Sequence, residues 1–162
     1  MDNTPKIVPC NQIASRLEAI RPGKTVVFTN GCFDILHQGH VDYLQKARAL
    51  GDLLCVGLNS DASVKSIKGD KRPIVPENER AFVLAGLACV DFVILFAEPD
   101  PYTLIKLVKP DILIKGADWS KDKVIGADFV ESYGGRVALM PLVEGRSSTN
   151  IIQTVLERYQ TC

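Results

Sequence analysis

Residues 25–40 read TVVFTNGCFDILHQGH: an apolar run, then a loop with two glycines and two histidines that leads into a helical pattern. The apolar run Thr25–Phe28 shows no alternation of polar and apolar side chains, which is typical of a strand buried on both faces. The pattern that follows, Gly39–Leu50, has the spacing of a helix. A buried strand that leads through a short loop into a helix predicts the first half of a βαβ unit.

The same alternation continues along the chain. We predict further strands at Leu53–Leu58, Phe92–Phe96, Ile112–Ile114 and Val137–Met140. Predicted helices are Gln12–Ile20, Ala62–Ile67, Glu77–Cys89, Pro101–Val108, Gly126–Tyr133 and Thr149–Tyr159. Strands and helices that take turns indicate right-handed crossovers within one parallel sheet. The prediction is an α/β fold: one Rossmann-like, doubly wound domain over residues 1–162, with about five strands, helices on both faces, an N-terminal helix at 11–21 and a catalytic core at 24–160.

Composition is that of an ordinary globular protein. Of the 162 residues 46% are hydrophobic, and 19 Lys and Arg balance 19 Asp and Glu. The balance argues against a nucleic-acid binder, which normally carries a basic excess. The five cysteines are scattered and include no Cys-x-x-Cys pair, so a zinc ribbon is excluded and a reducing cytoplasm is the expected compartment.

One segment is apolar enough to raise the question of a membrane span. Residues 81–97 are apolar apart from Gly86 and Asp91. Asp91 divides them into a part that suits a buried helix and a part that suits a buried strand, and together they fall short of the ~20 residues that a spanning helix needs. The first residues also lack the build of a signal peptide. No membrane anchor is expected.

Both histidines of the chain, His37 and His40, fall in the loop after the first strand. Doubly wound sheets bind ligands beyond the carboxyl ends of their strands, where the strand order reverses. Gly31 permits a tight turn there, and Gly39 lets the backbone of the helix start approach a ligand. The free N–H groups and the dipole of a helix start attract phosphate, and two imidazoles donate hydrogen bonds to a phosphoryl group as its charge builds up.

Two other interpretations of the histidine pair stay open at this point. Histidines at i and i+3 also occur in zinc sites, although no third histidine or cysteine pair completes the usual ligand set here. The pair also fits a chance arrangement at a helix cap. The loop is neither the Gly-x-Gly-x-x-Gly of dinucleotide-binding folds nor the Gly-x-x-x-x-Gly-Lys-Ser/Thr of P-loops, so both of those nucleotide folds are excluded.

The segment Gly31–His40 resembles the His-x-Gly-His signature of the cytidylyltransferase-like nucleotidyltransferases. Further similarity runs from Val26 to Ile152 and is greatest to the adenylyltransferases that make ADP-heptose from D-glycero-β-D-manno-heptose 1-phosphate. The similar segments are Asn59–Lys65, Lys68–Pro73, Lys115–Asp118 and Gly145–Ile152. The resemblance implies an α/β sheet that holds a nucleoside triphosphate, an acceptor phosphate that attacks its α-phosphorus, and a homodimer.

The resemblance and the positions after the strands together imply three groups of site residues. The catalytic group is His37, His40, Lys46 and Arg80, with Arg48 as a further candidate for a supporting charge. The nucleotide-binding group is Thr29, Asn30, Gly31, Cys32, Phe33, Asp34, Gly39, Lys115, Gly116, Asp118, Arg146, Ser147, Ser148 and Thr149. The acceptor-binding group is Asn59, Asp61, Lys68 and Arg72.

Ordinary structural roles compete with several of these assignments. Residues 65–72 carry four positive charges against one negative, which fits a flap that meets phosphates and equally fits a solvated loop. Arg80 and Lys46 also fit exposed helix charges. Trp119 fits a wall beside the base or packing under the loop after it. Ser148 also fits a plain cap of the last helix.

The expected reaction is in-line attack of a sugar 1-phosphate oxygen on the α-phosphorus of ATP, with release of pyrophosphate. The second pKa of a phosphate is about 6, so the nucleophile is already ionised at neutral pH and no general base is expected. Mg²⁺ is the expected cofactor, held by phosphates and water rather than by protein ligands. This chain has no room for a sugar kinase, so a separate heptose kinase is expected upstream.

One segment departs from the resemblance. Relatives that use glycerol phosphate carry Arg-Thr-Glu-Gly-Ile-Ser-Thr-Thr, whereas Leu142-Val143 stands here in place of Arg-Thr and Arg146 follows the glycine. The departure weakens glycerol phosphate as the acceptor and leaves open whether Arg146 takes over the phosphate contact. A cytidylyltransferase that acts on glycerol 3-phosphate or a similar alcohol phosphate, and a nucleotide-binding module without catalysis, stay open as alternatives.

Overall fold

Five parallel strands form one sheet in a computed structural model of the protein, which describes residues 4–117, 120, 123–141, 143 and 145–159. The strands are β1 (Val26–Gly31), β2 (Leu53–Asn59), β3 (Phe92–Phe96), β4 (Ile112–Gly116) and β5 (Arg136–Met140). They lie side by side in the order β3-β2-β1-β4-β5, and each neighbouring pair is parallel. The strand order therefore reverses between β1 and β4, which places the ligand-binding crevice of such a sheet at the carboxyl ends of these two strands.

Helices cover both faces of the sheet. They are α1 (Ile13–Ile20), α2 (Gln38–Arg48), α3 (Asp61–Lys68), α4 (Glu77–Ala85), α5 (Tyr102–Val108), α6 (Ala127–Ser132) and α7 (Ser148–Tyr159), and two short 3₁₀ turns, Thr4–Lys6 and Cys10–Gln12, precede them. Buried side chains of α1, α5 and α6 form one core with one face of the sheet, and those of α2 and α4 form a second core with the other face. The predicted doubly wound α/β fold is confirmed.

The two cores explain why the first strand reads as an unbroken apolar run. Val26 and Phe28 belong to the core under α1, α5 and α6, whereas Val27 between them belongs to the core under α2 and α4. All three side chains are completely buried. Because alternate side chains of a strand point to opposite faces, a strand covered on both faces needs apolar residues at every position.

The two edges of the sheet differ in how they are covered. On the β3 edge, Ile7 forms a bridge to Val93, and the Val8 N–H donates to the Val93 carbonyl at 2.9 Å. At the other edge β5 has no fully buried residue, and Leu139 is 40% exposed. The predicted coverage on both faces holds for β5 only in part, since Val137 packs against one core and Ala138 and Met140 against the other while Arg136 and Leu139 are exposed.

The apolar residues 81–97 divide as predicted at Asp91. The helix α4 ends earlier than the predicted Cys89, with Gly86 as its C-cap, and β3 begins directly after Asp91. The carboxylate of Asp91 accepts a hydrogen bond from the Leu54 N–H at 2.8 Å and so ties the starts of two neighbouring strands together. Over the residues that the structure describes, no helix is long and apolar enough to cross a membrane.

Candidate active site at the carboxyl ends of the strands

The two histidines meet at the start of α2, as the sequence predicts. His37 is the N-cap residue, and its Nδ1 accepts a hydrogen bond from the Gly39 N–H at 3.1 Å. The rings of His37 and His40 are stacked, with centroids 3.8 Å apart and an angle of 22° between their planes. Gly39 is needed between them, because a Cβ at this position would lie 3.1 Å from the His37 ring and 3.2 Å from Cβ of Arg146.

Burial keeps both imidazoles neutral near pH 7. Burial, followed by the charge of Arg146, lowers the pKa of His37. Burial and the neighbouring His37 lower the pKa of His40 to about 4, although Asp34 acts in the opposite direction. Because Nδ1 of neutral His37 accepts a hydrogen bond, its proton lies on Nε2. Nδ1 of His40 is the one buried side-chain nitrogen or oxygen in the described part of the chain without a hydrogen-bond partner.

The backbone of the loop before the histidines is strained. Phe33 and Ile35 have φ values of 44° and 49°, in the left-handed region that bulky and β-branched side chains avoid. The Phe33 side chain is buried, and its ring meets the His40 ring edge-on with centroids 5.3 Å apart. A Cβ at Gly31 would lie 3.1 Å from the same ring, so the glycine makes room for it. Strain of this kind is found where a site fixes functional groups.

Asp34 lies between the two strained residues and points into the protein. Its side chain is 1% exposed, and it accepts hydrogen bonds from the N–H groups of Ile74 and Val75, both at 2.9 Å, and from Nε of Arg72 at 2.6 Å. Burial alone would raise the pKa of Asp34, but these three donors outweigh it and hold the pKa below its usual value. The structure thus gives the carboxylate internal partners, whereas the sequence predicted that it contacts the nucleotide.

Arg80 is buried and connects three segments at this edge of the sheet. Its Nη1 donates to the carbonyl oxygens of Cys32 at 2.6 Å and Asn59 at 2.9 Å, and its Nε donates to the carbonyl of Val75 at 2.9 Å. Its Nη2 pairs with Asp61 at 2.7 Å. The alternative that Arg80 is an exposed helix charge is wrong. Its predicted contact with the triphosphate stays a prediction, since each guanidinium nitrogen already has a protein partner.

The start of α7 packs against the histidine loop from the other side. Ser147 caps this helix by accepting from the Asn150 N–H at 3.1 Å, so the capping residue is Ser147 and not Ser148. The Ser148 hydroxyl instead donates to the backbone carbonyl of Asp34. Thr149, the next residue, is exposed. A polar helix start therefore faces the loop, as the sequence predicts.

A cavity of about 340 Å³ lies between the two helix starts. Its lining includes His37, Gln38 and Arg146 together with Asn150, Ile151 and Thr154 of α7. Sequence reasoning found His37 and Arg146 but missed the α7 residues. The signal was present, since Asn150 and Thr154 are one helical turn apart and thus share a face with the predicted anion site.

At the end of β4, Lys115 is tied to the neighbouring strand. Its Nζ donates to the side-chain oxygen of Asn30 in β1. Gly116 ends the strand, and Asp118 and Trp119 lie outside the described residues, as does Leu142. The predicted contacts of these residues with the nucleoside stay predictions.

Thr29 belongs to the core rather than to a ligand surface. It is fully buried, and its hydroxyl donates to the Ile114 carbonyl at 3.2 Å and lies 2.7 Å from the Tyr43 hydroxyl. Since the single Thr29 proton is used for Ile114, Tyr43 donates to Thr29. The prediction that Thr29 binds the nucleotide is therefore not supported by its position, because the strand end turns this side chain inward.

The predicted acceptor group lies around α3. Asn59 is buried and donates to the Ser63 hydroxyl at 2.9 Å, whereas Asp61 is 40% exposed. Asp61 lines a second cavity of about 350 Å³ with Ala62 and Lys65 on one side and Pro73, Ile74 and Pro76 on the other. Lys68, at the end of α3, is exposed. Arg72 donates a hydrogen bond through its Nε, and its two terminal nitrogens make none within the described residues.

The supporting charges of α2 are not gathered at the histidines. Lys46 is exposed and pairs with Asp42 one turn earlier, at 2.7 Å. Arg48 pairs with Asp91 at 3.1 Å, beside the start of β3. The predicted role of Arg48 as a supporting charge is therefore wrong, because Arg48 lies at the amino-terminal ends of the strands and the histidines lie at the carboxyl-terminal ends. Lys46 stays a prediction.

The described residues contain no group of three or more His, Cys, Asp and Glu that could hold a metal ion. The histidine pair stacks ring on ring, and no described residue stands beside it as a third ligand, so this donor set does not fit a zinc site. A magnesium ion carried by a triphosphate needs few protein ligands and is compatible with this donor set.

The comparison with known protein families agrees with this architecture. A cytidylyltransferase-like family model matches residues 28–154, which contain the histidine loop, α3, β4 and the start of α7. This chain belongs to the cytidylyltransferase-like family. The prediction that it is a nucleotidyltransferase enzyme is thereby confirmed.

Relatives within the family are close in sequence. The bifunctional protein HldE of Syntrophotalea carbinolica is 61% identical over 140 residues, which are 86% of this chain and 29% of that protein. HldE of Pelobacter propionicus is 57% identical over 159 residues, 98% of this chain and 33% of that protein. The chain thus spans about a third of the length of these curated relatives.

Two solved structures share the fold. The lipopolysaccharide core biosynthesis protein of Thermoplasma volcanium GSS1 is 32% identical and superposes with a TM-score of 0.61, over 76% of this chain and 100% of that one. Pantoate-beta-alanine ligase of Francisella tularensis is 15% identical, with a TM-score of 0.60 over 95% of this chain and 77% of that one. At that identity the second likeness concerns the fold alone.

Proposed function

We propose that the protein transfers AMP from ATP to D-glycero-β-D-manno-heptose 1-phosphate and releases pyrophosphate and ADP-heptose. The observation that carries the proposal is the stacked pair His37 and His40 at the N-terminus of α2, with Nδ1 of His40 buried and unpartnered. A buried polar atom without a partner is costly in a finished fold, and a functional role of the ring accounts for its retention.

The chemistry requires positioning more than proton transfer. The acceptor phosphate is ionised at neutral pH, because its second pKa is about 6. One of its oxygens attacks the α-phosphorus of ATP in line with the bond to the β-phosphate, the new P–O bond forms as that bond breaks, and pyrophosphate takes the bonding electrons. No proton has to move, so the protein's task is to hold the two charged groups together and to stabilise the charge of the transition state.

The two imidazoles suit this task because they are neutral before the nucleotide arrives. Burial lowers the pKa of both; Arg146 lowers the pKa of His37 further, and His37 lowers that of His40 further. An arriving triphosphate reverses this balance, since nearby negative charge favours the protonated imidazole. Nucleotide binding is thus expected to draw protons onto the pair, which then donates hydrogen bonds to the α- and β-phosphates.

The surroundings provide further donors for the triphosphate. Arg146 lies beside the His37 ring, and the N-termini of α2 and α7 both face the cavity of about 340 Å³ between them. Helix starts present free N–H groups and a partial positive charge to an anion. Mg²⁺ bound to the triphosphate would neutralise part of its charge, and no cage of protein ligands is required for it.

The acceptor is proposed to bind on the opposite side of the histidine loop. The second cavity offers the half-exposed Asp61 carboxylate for sugar hydroxyls and Lys65 at its rim, and the terminal nitrogens of Arg72 have no partner in the described part of the chain. Lys68 ends the same helix. Lys65, Lys68 and Arg72 would give the acceptor phosphate three cations, which suits a sugar 1-phosphate.

The choice of sugar rests on similarity. The relatives named HldE are bifunctional proteins, and the Thermoplasma structure is named for lipopolysaccharide core biosynthesis. The heptose branch is also the one that the motifs at Asn59–Lys65 and Gly145–Ile152 resemble most. We further propose a homodimer that works in the cytoplasm, where ATP is available, downstream of a kinase reaction that makes the sugar phosphate.

The test is a pyrophosphate-release assay that crosses ATP and CTP with heptose 1-phosphate and glycerol 3-phosphate. The proposal expects turnover with ATP and heptose 1-phosphate and at most weak turnover with the other three combinations. Preferred use of CTP with glycerol 3-phosphate would replace the proposal by the cytidylyltransferase alternative. Nucleotide binding without turnover in any combination would leave a binding module.

A further inference from the structure

Asp34 is a buried charge that the proposed reaction does not use. Its carboxylate is 1% exposed and accepts three hydrogen bonds, all from the segment 72–75. A buried carboxylate is retained at low cost only when its partners compensate the loss of water, and here two backbone N–H groups and a guanidinium do so. The bonded segment lies about forty residues further along the chain, so the contact fixes two distant pieces of backbone together.

The residues on either side of Asp34 carry the strain of the loop. Positive φ values at Phe33 and Ile35 are costly and persist only where the surroundings enforce them. Three contacts do so here: Arg80 holds the Cys32 carbonyl, Ser148 holds the Asp34 carbonyl, and the Asp34 carboxylate holds the segment 72–75. His37 follows directly after this loop.

We infer that Asp34 is a positioning residue: through Arg72 and the N–H groups of Ile74 and Val75 it fixes both the strained loop before the histidines and the wall of the second cavity. Pro73 and Ile74 line that cavity, so the residues that grip Asp34 also shape the place proposed for the acceptor. The Asp34 carboxylate thus fixes the position of the proposed nucleotide site relative to the proposed acceptor site. The inference rests on the proposed function for its catalytic consequence, but its structural part does not.

The hydrogen bond to Asp34 orients the guanidinium of Arg72. Its Nε is used by Asp34 at 2.6 Å, so its two terminal nitrogens are directed away from that carboxylate. Within the described residues they make no hydrogen bond, and the side chain is 16% exposed. Asp34 therefore also orders the Arg72 side chain, so less side-chain entropy is lost when an anion binds to Arg72.

The experiment compares Asp34→Asn and Arg72→Gln with the control Asp52→Asn. Asp52 also accepts a backbone hydrogen bond, from the Thr25 N–H at 2.8 Å, but at the amino-terminal ends of the strands. The first readout is limited trypsin cleavage without substrate, with the cut sites located by peptide masses. Lys68 and Lys71 lie directly before the segment 72–75. Trypsin does not cut between Arg72 and Pro73, so removal of Arg72 leaves the number of sites unchanged.

The inference expects cleavage after Lys68 and Lys71 to accelerate at least about tenfold in both variants, ahead of cuts elsewhere, because proteolysis follows local opening. The control should be cut like the wild type. Arg72→Gln keeps the two backbone hydrogen bonds of Asp34 and gives the decisive answer if Asp34→Asn does not fold. Cleavage of Arg72→Gln at the wild-type rate and pattern would overturn the inference.

The second readout is the kinetics of pyrophosphate release. Misplaced reacting groups should lower kcat by about 10²-fold in Asp34→Asn with little change in KM for ATP, because displacements of about 1 Å cost that much. Arg72→Lys should recover part of the loss in Arg72→Gln. An unchanged kcat in Asp34→Asn would overturn the catalytic part. If the wild type shows no turnover, the proposed function fails while the trypsin result still decides the structural part.

Discussion

The two ends of the sheet use charged residues in different ways. At the amino-terminal ends of the strands, three aspartates each accept a hydrogen bond from the backbone N–H of a residue at or next to a strand start: Asp52 from Thr25, Asp91 from Leu54 and Asp111 from Val26. Asp91 and Asp111 also pair with the partly exposed arginines Arg48 and Arg21. These polar groups have partners within the fold and contribute to its stability.

The carboxyl-terminal ends of the strands carry an unsatisfied polar group and strained backbone. Here lie the unpartnered Nδ1 of His40 and the strained φ values of Phe33 and Ile35. The other non-glycine residue with positive φ in the described part of the chain, Lys109, is an ordinary left-handed helix cap at the end of α5. A strained loop that leads directly into a helix whose first turn holds an unsatisfied nitrogen is typical of a functional site.

The largest contrast between the two ends is expected in turnover. His40→Ala should reduce pyrophosphate release by roughly 10²–10³-fold, because one preorganised donor to the transition state is lost. Asp52→Asn, at the other end, should leave kcat within about twofold of the wild type. Steady-state kinetics and thermal melting of both variants test this, and near-normal turnover of a folded His40→Ala protein would contradict it.

A second contrast concerns two arginines that look alike in sequence. Arg80→Ala removes four hydrogen bonds and a buried side chain and should cost about 2–4 kcal/mol of unfolding free energy. Arg48→Ala removes a partly exposed ion pair with Asp91 and a hydrogen bond to the Gly51 carbonyl, and should cost about 1 kcal/mol. Urea denaturation measures both. Equal losses of unfolding free energy in the two variants would contradict the difference between the two ends of the sheet.

A smaller effect is expected in the pH dependence of stability. The pKa of His40 is about 4 in the folded protein and returns to its ordinary 6.5 on unfolding. Between these values the unfolded chain binds a proton that the folded one does not, so stability falls as the pH falls from 6.5 to 4. His40 faces His37, Phe33 and Asp34, and the pKa of His37 is also lowered by burial and by Arg146. Denaturation at several pH values should therefore show a shallower decline for His40→Gln, and parallel curves would contradict the assigned burial of His40.

Much of the fold could be predicted from the sequence because its signals are local. The run Val26–Phe28 is apolar throughout since each face of the sheet has its own core, and that pattern is visible without a structure. The incomplete burial of β5 was not predictable in this way, because its apolar residues read in sequence like those of a central strand. The position of the histidine pair was predictable, since it depends on one strand, one loop and one helix.

The partners of the site residues were not predictable, because they are distant in the chain. Nothing local in the sequence shows that Asp34 turns away from the crevice toward residues 72–75, or that Thr29 is enclosed by Tyr43 and Ile114. Arg48 and Arg80 both occur in amphipathic helices, and only the packing of α2 and α4 decides which end of the sheet each one reaches. Sequence reasoning thus located the site but assigned several buried anchoring residues to the ligand.

The central claim is that a nucleotide binds at the two histidines, and the chain allows a direct measurement of it. Because His37 and His40 are the only histidines in the sequence, a ¹H–¹⁵N spectrum of the imidazoles contains just two ring systems. Titration with a non-hydrolysable ATP analogue and Mg²⁺ should shift both rings and raise the pKa of each above its value in the free protein. Saturating nucleotide that leaves both ring systems and their pKa values unchanged would contradict the claim.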